Sequence, residues 1–310
     1  KDVGDLPAVV ELPLKQDVNN VKERIKDISG GAYHSAVLLN SGRILTFGAG
    51  QLGQLGRPIS TAGDASGLPV DPQPAEAKVP NCHGRMAQTI ERIGSGFYNT
   101  FAISEKGKLF CTGENQNQQC GTGDKNLHSL THVKEVDHHV VEQVEGGYCH
   151  TLLKTLSGKV FSLGCGDDGQ RGDAKRGDDP DRPVVNEVDI PVKAVQVAAG
   201  ANHSVILGED GSVFTFGAND VGQCGVESDP TDDEDDDETV VLSAKKVNLS
   251  STAGQVVHVS AGYAHTVLTT DSGKTFVFGQ NDNGQLGFGA DCFERHEEPK
   301  NQDNPVEVFP

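Results

Sequence analysis

A segment of 26 residues occurs five times in this chain, and the copies align with one another without a gap. Successive copies start 65, 51, 53 and 62 residues apart, so all variation in length lies in the connections. A fixed unit with variable connections is typical of repeat architectures, in which each unit is one supersecondary element packed on its neighbours. The five repeat cores are residues 31–56, 96–121, 147–172, 200–225 and 262–287.

Each copy contains two short apolar segments joined by a tight turn that includes Gly. In the first copy, residues 36–39 and 44–47 flank the turn residues Ser41 and Gly42. Gly in the second place of a two-residue turn supplies the positive φ of a β-hairpin. Apolar residues occupy both faces of these strands, so each small sheet must be covered on both sides. The pattern predicts an all-β fold, a β-propeller with five recognisable blades, forming one domain over residues 1–310.

Short segments rich in Pro and Val lie outside the repeat cores, and we predict that they form the outer strands of the blades. An outer strand tolerates Pro because its free edge needs no hydrogen-bonding partner. On this interpretation the last segment ends the chain just as another unit would begin. The segments start at Pro7, Pro74, Leu130, Pro183, Val240 and Pro305.

The stretch Gly48, Gly50 and Gly53 matches the G-x-G-x-x-G pattern of dinucleotide-binding loops. That pattern needs a following helix, whereas the residues after it are rich in Pro and Gly. In the other copies the position of Gly50 holds Asn115, Gly166, Asn219 and Asn281. Gly and Asn both tolerate the left-handed backbone region, so we interpret this position as a turn requirement and predict no cofactor.

The formal net charge is -19, from 45 acidic and 26 basic residues. Such a chain repels phosphate backbones, which argues against nucleic acid as a partner. Residues 227–238 hold nine of the acidic residues and are predicted to be a disordered insert, with a tether for a basic partner as the alternative. No apolar run approaches the roughly 20 residues of a membrane span, so we expect no membrane partner.

A His occupies the fourth position of four copies, and Asn99 takes its place in the other. Asn can replace an imidazole as a hydrogen-bonding group but not as a base, so we predict structural hydrogen bonds and no catalytic or metal role. Four other His residues lie in one connection, but their spacing fits no structural zinc pattern. They are His128, His132, His138 and His139.

The seven Cys residues contain no C-x-x-C pair, which favours reduced, mostly buried thiols. We therefore expect an intracellular protein, located in the cytoplasm or the nucleus, with a cilium or an organelle as the alternatives. Cys120 and Cys224 take the place of Leu55 and are interpreted as small core residues. Two RGD tripeptides start at Arg171 and Arg176, and adhesion through them would require an extracellular protein.

No catalytic, cofactor-binding or metal-binding residue is predicted, because every candidate is explained by its place in the repeat. The predicted structural positions are Gly31, His34, Gly42, Gly48, Gly56, Gly96, Gly107, Gly113, Gly121, Gly147, His150, Gly158, Gly164, Gly172, Gly200, His203, Gly211, Gly217, Gly225, Gly262, His265, Gly273, Gly279 and Gly287.

The succession G-x-x-H-[ST], hairpin Gly, aromatic-Gly and G-Q-x-G resembles the repeat of the regulator of chromosome condensation family, over nearly the whole chain. The resemblance implies a β-propeller, usually of seven blades. This chain departs from many relatives where they carry Trp before the fourth Gly. The corresponding residues here are Phe47, Thr112, Leu163, Phe216 and Phe278.

The resemblance also implies several functions. The ultraviolet-B photoreceptor of this family absorbs through clustered Trp, and this chain has none. The founding member exchanges nucleotide on the GTPase Ran through a projecting wedge and binds nucleosomes through basic residues, and neither feature is visible here. We therefore expect a non-catalytic scaffold that binds partner proteins through rim loops in residues 57–92 and 226–258. The alternatives are a guanine-nucleotide exchange factor for a Ran-type GTPase and a structural subunit of a large ciliary or organellar assembly.

Overall fold

The computed structural model describes residues 10–16, 22–59, 69–80, 89–176, 182–230, 239–250, 253–287 and 302–308. These residues hold twenty strands and one short 3-10 helix, Lys134–Val136. In this part of the chain no helix is long and apolar enough to cross a membrane. Most of the predicted acidic insert, residues 231–238, lies outside the described residues, as do Cys82 and Cys292.

Every four consecutive strands form one antiparallel sheet, and the five sheets are blades 1 to 5 in chain order. Blade 1 contains β1 (Ile25–Gly30), β2 (His34–Leu39), β3 (Ile44–Ala49) and β4 (Val70–Ala77). Blade 2 contains β5 (Ile90–Ser95), β6 (Asn99–Ser104), β7 (Leu109–Gly113) and β8 (Leu127–His132). Blade 3 contains β9 (Val141–Gly146), β10 (His150–Thr155), β11 (Val160–Gly164) and β12 (Val185–Val188). Blade 4 contains β13 (Ala194–Ala199), β14 (His203–Gly208), β15 (Val213–Ala218) and β16 (Val240–Lys246). Blade 5 contains β17 (Val256–Ala261), β18 (His265–Thr270), β19 (Thr275–Gly279) and β20 (Gln302–Val308).

The first strand of each blade lies at the centre, where it contacts the first strand of the next blade. Two side chains tie these central strands together. Gln143 Nε2 donates to the carbonyl oxygen of Val197 at 2.9 Å, and Gln196 Nε2 donates to that of Val259 at 2.9 Å. The predicted all-β propeller with five blades is therefore confirmed, although its central strands were not predicted.

The second and third strands of each blade come from the repeat core and form a hairpin. Its turn has three residues and not the predicted two, because Leu39 N donates to Arg43 O at 2.9 Å and Gly42 N donates to Leu39 O at 2.9 Å. Gly42 is the third turn residue and has a φ of 84°. A three-residue hairpin places its left-handed residue at that point.

Five of the six predicted outer segments overlap a fourth strand, and each belongs to the repeat core that precedes it. The last segment is β20, which pairs with β19 and completes blade 5. The first segment forms no strand over its described residues, 10–13. Instead Leu12 and Leu14 pack on the free face of blade 1, against Val37 and Leu39.

The hydrophobic core is divided into layers, one between each pair of consecutive blades. Neighbouring residues on a central hairpin point into different layers. Leu152 packs toward blade 4, whereas Leu153 packs toward blade 2. The apolar residues on both faces of these strands are explained by this sandwiching of each sheet.

The propeller has two faces. The turn face carries the turns between the first and second strands and the connections from the third to the fourth strand. The hairpin face carries the hairpin turns and the connections to the next blade. The predicted rim loops 57–92 and 226–258 are consequently not single loops, because β4 and β16 divide each of them between the two faces.

Gly50 is not a left-handed position of the G-x-G-x-x-G stretch, as the sequence suggested, because the positive φ values there belong to Gly48, 110°, and Gly53, 90°. Gln118 at the matching position of blade 2 also has a positive φ, 60°. At the position of Gly50, Asn serves through its side chain. Asn115 Oδ1 accepts a hydrogen bond from Cys120 N at 2.8 Å, which closes the loop.

Candidate functional site at one end of the axis

The five turns on the turn face are held to one another through their backbones. Ala32 N donates to Phe97 O at 3.2 Å, and Phe97 N donates to Gly147 O at 3.1 Å. Tyr148 N and Ala201 N continue the series, donating at 2.9 Å to Ala201 O and to Tyr263 O. Each turn is thereby fixed relative to the next blade, which gives a rigid surface around the end of the axis.

Glycine at the first position of the turn permits this close approach. A Cβ atom added at Gly147 would lie 2.6 Å from Gly200 O and 2.4 Å from His150 Nδ1. Both distances are too short for a real side chain. The blades can therefore meet at the axis only where this residue is Gly.

All four tyrosines of the chain and one Phe meet on this surface. Ring centroids are 6.3 Å apart for Tyr33 and Tyr98, 5.8 Å for Tyr98 and Tyr148, and 5.6 Å for Tyr148 and Phe97. Phe97 also lies 5.8 Å from Tyr263, which belongs to the non-adjacent blade 5. We call these five residues the aromatic cluster.

The aromatic cluster has an exposed layer and a partly buried layer. Tyr33, Tyr148 and Tyr263 are 66%, 46% and 64% exposed, while Phe97 and Tyr98 lie deeper. Burial raises the pKa of Tyr98, and the neighbouring Tyr148, Tyr33, Glu114 and Tyr263 raise it further. Exposed aromatic area of this kind is unusual on a surface that binds nothing.

One acidic side chain lies beside the cluster. Glu114 N donates to Tyr98 O at 3.0 Å, and Glu114 O accepts from Asn99 Nδ2 at 2.6 Å, so the backbone of this residue is fixed. Within the described residues, the buried Oε2 atom of Glu114 has no hydrogen-bond partner. Burial raises the pKa of this carboxyl group.

Three of the four repeated His residues lie below the surface and join the blades. His203 Nε2 is 3.0 Å from Thr266 Oγ1, and that hydroxyl donates to Gln223 O at 2.8 Å. The Thr266 hydroxyl has a single proton, which it donates to Gln223 O. His203 Nε2 must therefore be protonated and donate the hydrogen bond to Thr266 Oγ1. The ring is neutral, since burial lowers the pKa of His203 to about 3.

The same link joins blades 1 and 2 through His34 and Thr100 and blades 3 and 4 through His150 and Ser204. Burial lowers the pKa of both His34 and His150 to about 4. Asn99 does not reach the next blade and donates within its own blade instead. A buried neutral imidazole enclosed between two blades has no access to a substrate.

The remaining His candidates do not form a metal site. His132 Nε2 is 2.9 Å from Asp137 Oδ1, and the ring of His139 packs on Phe161 at 4.3 Å between centroids. Among the described residues no group of three or more His, Cys, Asp or Glu could hold a metal ion.

The RGD motif at Arg171 is buried, because this side chain takes the core position of Leu55 and donates to Gly164 O at 3.0 Å. An adhesion receptor could not reach it. The second motif extends into residues 177–178, outside the described residues.

The prediction of reduced thiols was wrong for four of the seven Cys residues. Disulfides join Cys111 to Cys120 and Cys149 to Cys165, with Cα atoms 5.6 Å apart in both pairs. These partners are 9 and 16 residues apart in sequence, and only the fold brings them together. Cys224 is buried and free, and burial raises its pKa.

A cavity of about 490 Å³ lies against the central strands and is lined by Asp27, Arg92, Glu142, Glu145 and Lys154 among others. Lys154 Nζ pairs with Glu142 Oε2 at 2.5 Å. Burial raises the pKa of Glu145 to about 7. Most of these charges are already paired or neutralised, so the cavity is a weaker candidate than the aromatic cluster.

The aromatic cluster was not predicted from the sequence because its members do not share one repeat position. Tyr148 and Tyr263 are the second residue of their turns, whereas Tyr33 and Tyr98 are the third. The sequence does contain a signal that could have revealed the cluster. Every Tyr of the chain lies between the first Gly and the His or Asn of a repeat core.

Profiles described as regulator of chromosome condensation (RCC1) repeat match much of the chain. One profile matches residues 25–54, 90–119, 194–223 and 256–285. A second matches residues 157–207 and 210–269.

Curated relatives include the probable E3 ubiquitin-protein ligases HERC6 and HERC4 of Homo sapiens. HERC6 is 29% identical over 90% of this chain and 25% of its own length. HERC4 is 28% identical over 91% of this chain and 29% of its own length. The chain thus spans only about a quarter of these relatives.

Solved structures support the same fold. Human WBSCR16 superimposes with a TM-score of 0.74 at 21% identity, covering 97% of this chain and 70% of WBSCR16. Prp20p from Saccharomyces cerevisiae, studied for its binding to Gsp1p and histones, gives a TM-score of 0.70 at 18% identity over 93% of this chain and 64% of Prp20p.

Proposed function

Because the chain belongs to the regulator of chromosome condensation (RCC1) repeat family, we propose that it is a non-catalytic scaffold that binds partner proteins on its turn face. The aromatic cluster would be the centre of that binding surface. The observation that carries the proposal is the meeting of all four tyrosines and Phe97, from four different blades, at one end of the axis.

The aromatic cluster offers a large apolar area on a rigid surface. Tyr side chains offer large apolar area together with a polar hydroxyl, and they are enriched among the residues that dominate binding energy at interfaces. The backbone bonds between turns hold the rings in place before a partner arrives, which reduces the entropy lost on binding. The connections from third to fourth strands surround the cluster on the same face, where they can add contacts specific to one partner.

The relatives are compatible with a recruiting role. HERC6 and HERC4 are named as probable ubiquitin ligases, and this chain matches a quarter or slightly more of each. In a protein of that type, a propeller with an aromatic surface would select the protein to be acted on. Ligase activity belongs to the names of HERC6 and HERC4 and is not part of the function proposed for this chain.

The test compares interactions in cells. The chain is expressed in three forms: the unchanged chain, a variant with Tyr148→Ser plus Tyr263→Ser, and a variant with Leu156→Ser. Each form is crosslinked in the cell to the proteins that it contacts. Leu156 is an exposed apolar residue of the hairpin face, 68% accessible, and is the matched control. We expect the Tyr variant to lose at least tenfold in recovery of specific partners while the Leu156 variant keeps them. Equal recovery by all three forms would count against the proposal.

Nucleotide exchange is the rival function, and its support is the fold shared with Prp20p, which was studied for binding to Gsp1p. All five hairpins in the described residues are short, so none of them forms a projecting wedge. The two functions differ in one measurement. A scaffold leaves the release of a fluorescent nucleotide from Ran unchanged, whereas an exchange factor accelerates it by at least tenfold.

A further inference from the structure

We propose that the aromatic cluster and Glu114 together bind an arginine side chain on a basic segment of a partner protein. This inference rests on the proposed function and adds the chemistry of the contact. It follows from three features of the turn face: a carboxylate with an unused buried oxygen, ring faces next to it, and the charge of the chain.

The carboxylate is the first feature. In the described residues, Glu114 Oε2 is buried and accepts no hydrogen bond, although its backbone is fixed by bonds to Tyr98 and Asn99. A buried carboxylate oxygen without a donor is costly. If the Glu114 side chain turns toward the ring faces, this oxygen becomes accessible, and a guanidinium that donates an N–H to it would remove that cost and form a charge-assisted bond.

The rings are the second feature. The face of an aromatic ring attracts a cation, and Arg makes such contacts more often than Lys. The largest electrostatic contributions to the raised pKa of Tyr98 come from three other tyrosines and Glu114, none of them cationic. A cation arriving at the cluster therefore meets negative ring faces and a carboxylate, without competition from those neighbours.

The shape of the guanidinium selects Arg over Lys. Its flat face can stack on a Tyr ring while N–H groups in its plane reach a carboxylate. An ammonium is a compact point charge that cannot lie flat on a ring in this way. The site combines both requirements, because Glu114 is joined through its backbone to Tyr98 at the edge of the cluster.

Overall charge is the third feature. With a formal net charge of -19, the chain attracts basic segments and repels acidic ones. Long-range attraction brings a basic segment near the protein but does not choose a position on it. Position would come from the aromatic cluster, where the short-range contacts are available.

The first experiment uses the tyrosines as reporters. The chain has no Trp and its four Tyr are all in the cluster, so its intrinsic fluorescence comes from the proposed site alone. Three unlabelled nine-residue peptides are titrated. One contains three Arg, one contains three Lys and one contains three Gln, and in each the three residues are separated by Gly. We expect a saturable fluorescence change with the Arg peptide, at an affinity at least tenfold above the Gln peptide and threefold above the Lys peptide. Equal affinity of the Arg and Lys peptides would overturn the stacking geometry and with it the proposal.

The second experiment measures anisotropy of a fluorescein-labelled Arg peptide with variants. Glu114→Gln removes the carboxylate, while Glu105→Gln makes the same change at an exposed residue on the hairpin face of the same blade. We expect the first variant to weaken binding at least tenfold and the second less than twofold. Equal losses would show diffuse charge attraction and would overturn the proposal. Thermal unfolding of both variants checks that the fold is kept.

The two proposals can fail separately. If Tyr148→Ser plus Tyr263→Ser loses partners in cells but the Arg peptide does not bind, the scaffold function stands and arginine recognition is wrong. If the Arg peptide binds as expected but the Tyr variant keeps all its partners, arginine recognition stands and the cellular role of the turn face is wrong.

Discussion

The junctions between blades and the aromatic cluster are built from the same turn, yet they have opposite properties. In blade 5 the turn begins at Gly262 and ends at His265, and in blade 4 it begins at Gly200 and ends at His203. The last residue of the turn points between blades and is buried wherever a next blade covers it, whereas middle residues such as Tyr148 and Tyr263 reach the turn face. The repeated positions of the turn hold the blades together, and the positions that vary between copies provide the surface.

Blade 2 makes this contrast sharpest. It has Asn99 in place of the junction His, so the bond to the next blade is missing there. It also contributes two residues, Phe97 and Tyr98, to the aromatic cluster. Thr151 still donates to Gln119 O at 2.7 Å, so half of the junction remains. The blade with the reduced junction is thus the blade that gives most to the surface.

Acid should break the junctions. Burial lowers the pKa of His34 and His150 to about 4 and that of His203 to about 3, against about 6.5 in an unfolded chain. Between these pKa values the unfolded chain binds protons that the folded chain does not. The contribution of these His residues to the unfolding free energy is therefore fully present above pH 6.5 and is lost as the pH falls. The loss is up to about 1.4 kcal/mol per pH unit for each His. Glu145 acts oppositely, because its pKa is raised to about 7 and its folded form gains stability on acidification.

From His34, His150, His203 and Glu145 alone, urea unfolding should show a loss of several kcal/mol, roughly 3 to 6, between pH 6.5 and 4.5. A free energy of unfolding that stays constant over this range would show that the buried rings do not control stability.

Removing one junction His should have the next largest effect. His203→Ala deletes a fully buried ring and leaves Thr266 without its donor, which should cost about 3 kcal/mol of unfolding free energy. The matched control is His265→Ala, since His265 is half-buried and the described residues include no following blade. We expect a cost below about 1 kcal/mol there. Equal costs in urea titrations would mean that the link between blades adds nothing.

A methyl group at the axis should be somewhat less damaging. In Gly200→Ala the new Cβ would lie 2.1 Å from His203 Cε1 and 2.7 Å from Gly262 O, and relief of these contacts should cost about 2 kcal/mol. Gly30→Ala is the control, because nothing lies within 4 Å of a Cβ added there. Calorimetry should show a clear fall in melting temperature for the first variant only.

The smallest effect on stability is expected in the aromatic cluster. Tyr148→Ser plus Tyr263→Ser removes exposed rings, so the unfolding free energy should change by less than about 0.5 kcal/mol per site. Paired with the loss of partners expected from the same variant, this result would separate the surface from the architecture. A large destabilisation would show that the rings also hold the turns in place.

The fold could be predicted because its main cause is periodic in the sequence. Hairpin glycines, strands apolar on both faces and gap-free copies together leave few alternatives to stacked sheets. The central strands were harder to see, since a segment such as Ile90–Ser95 has little alternation of apolar and polar residues. The role of the Asn at the Gly50 position also escaped, because a side-chain bond to Cys120 leaves no mark in backbone preferences.

The candidate site could not be predicted in the same way. Phe97 and Tyr263 are distant in sequence and belong to non-adjacent blades, and only the closeness of the turns at the axis brings their rings together. The disulfides were hidden for a similar reason, since Cys149 and Cys165 meet only because the ends of β10 and β11 lie side by side.

The two sides of a junction carry different groups, and this affects how the number of repeat units can change in evolution. Apart from blade 2, each covered blade offers an imidazole and a carbonyl to the hydroxyl of the next blade, as His203 and Gln223 do toward Thr266. Three of the four junctions use these same groups. A gene that duplicates or deletes one whole unit would therefore bring together two surfaces that already fit. The number of units in such a chain can vary by recombination without any new interface having to evolve.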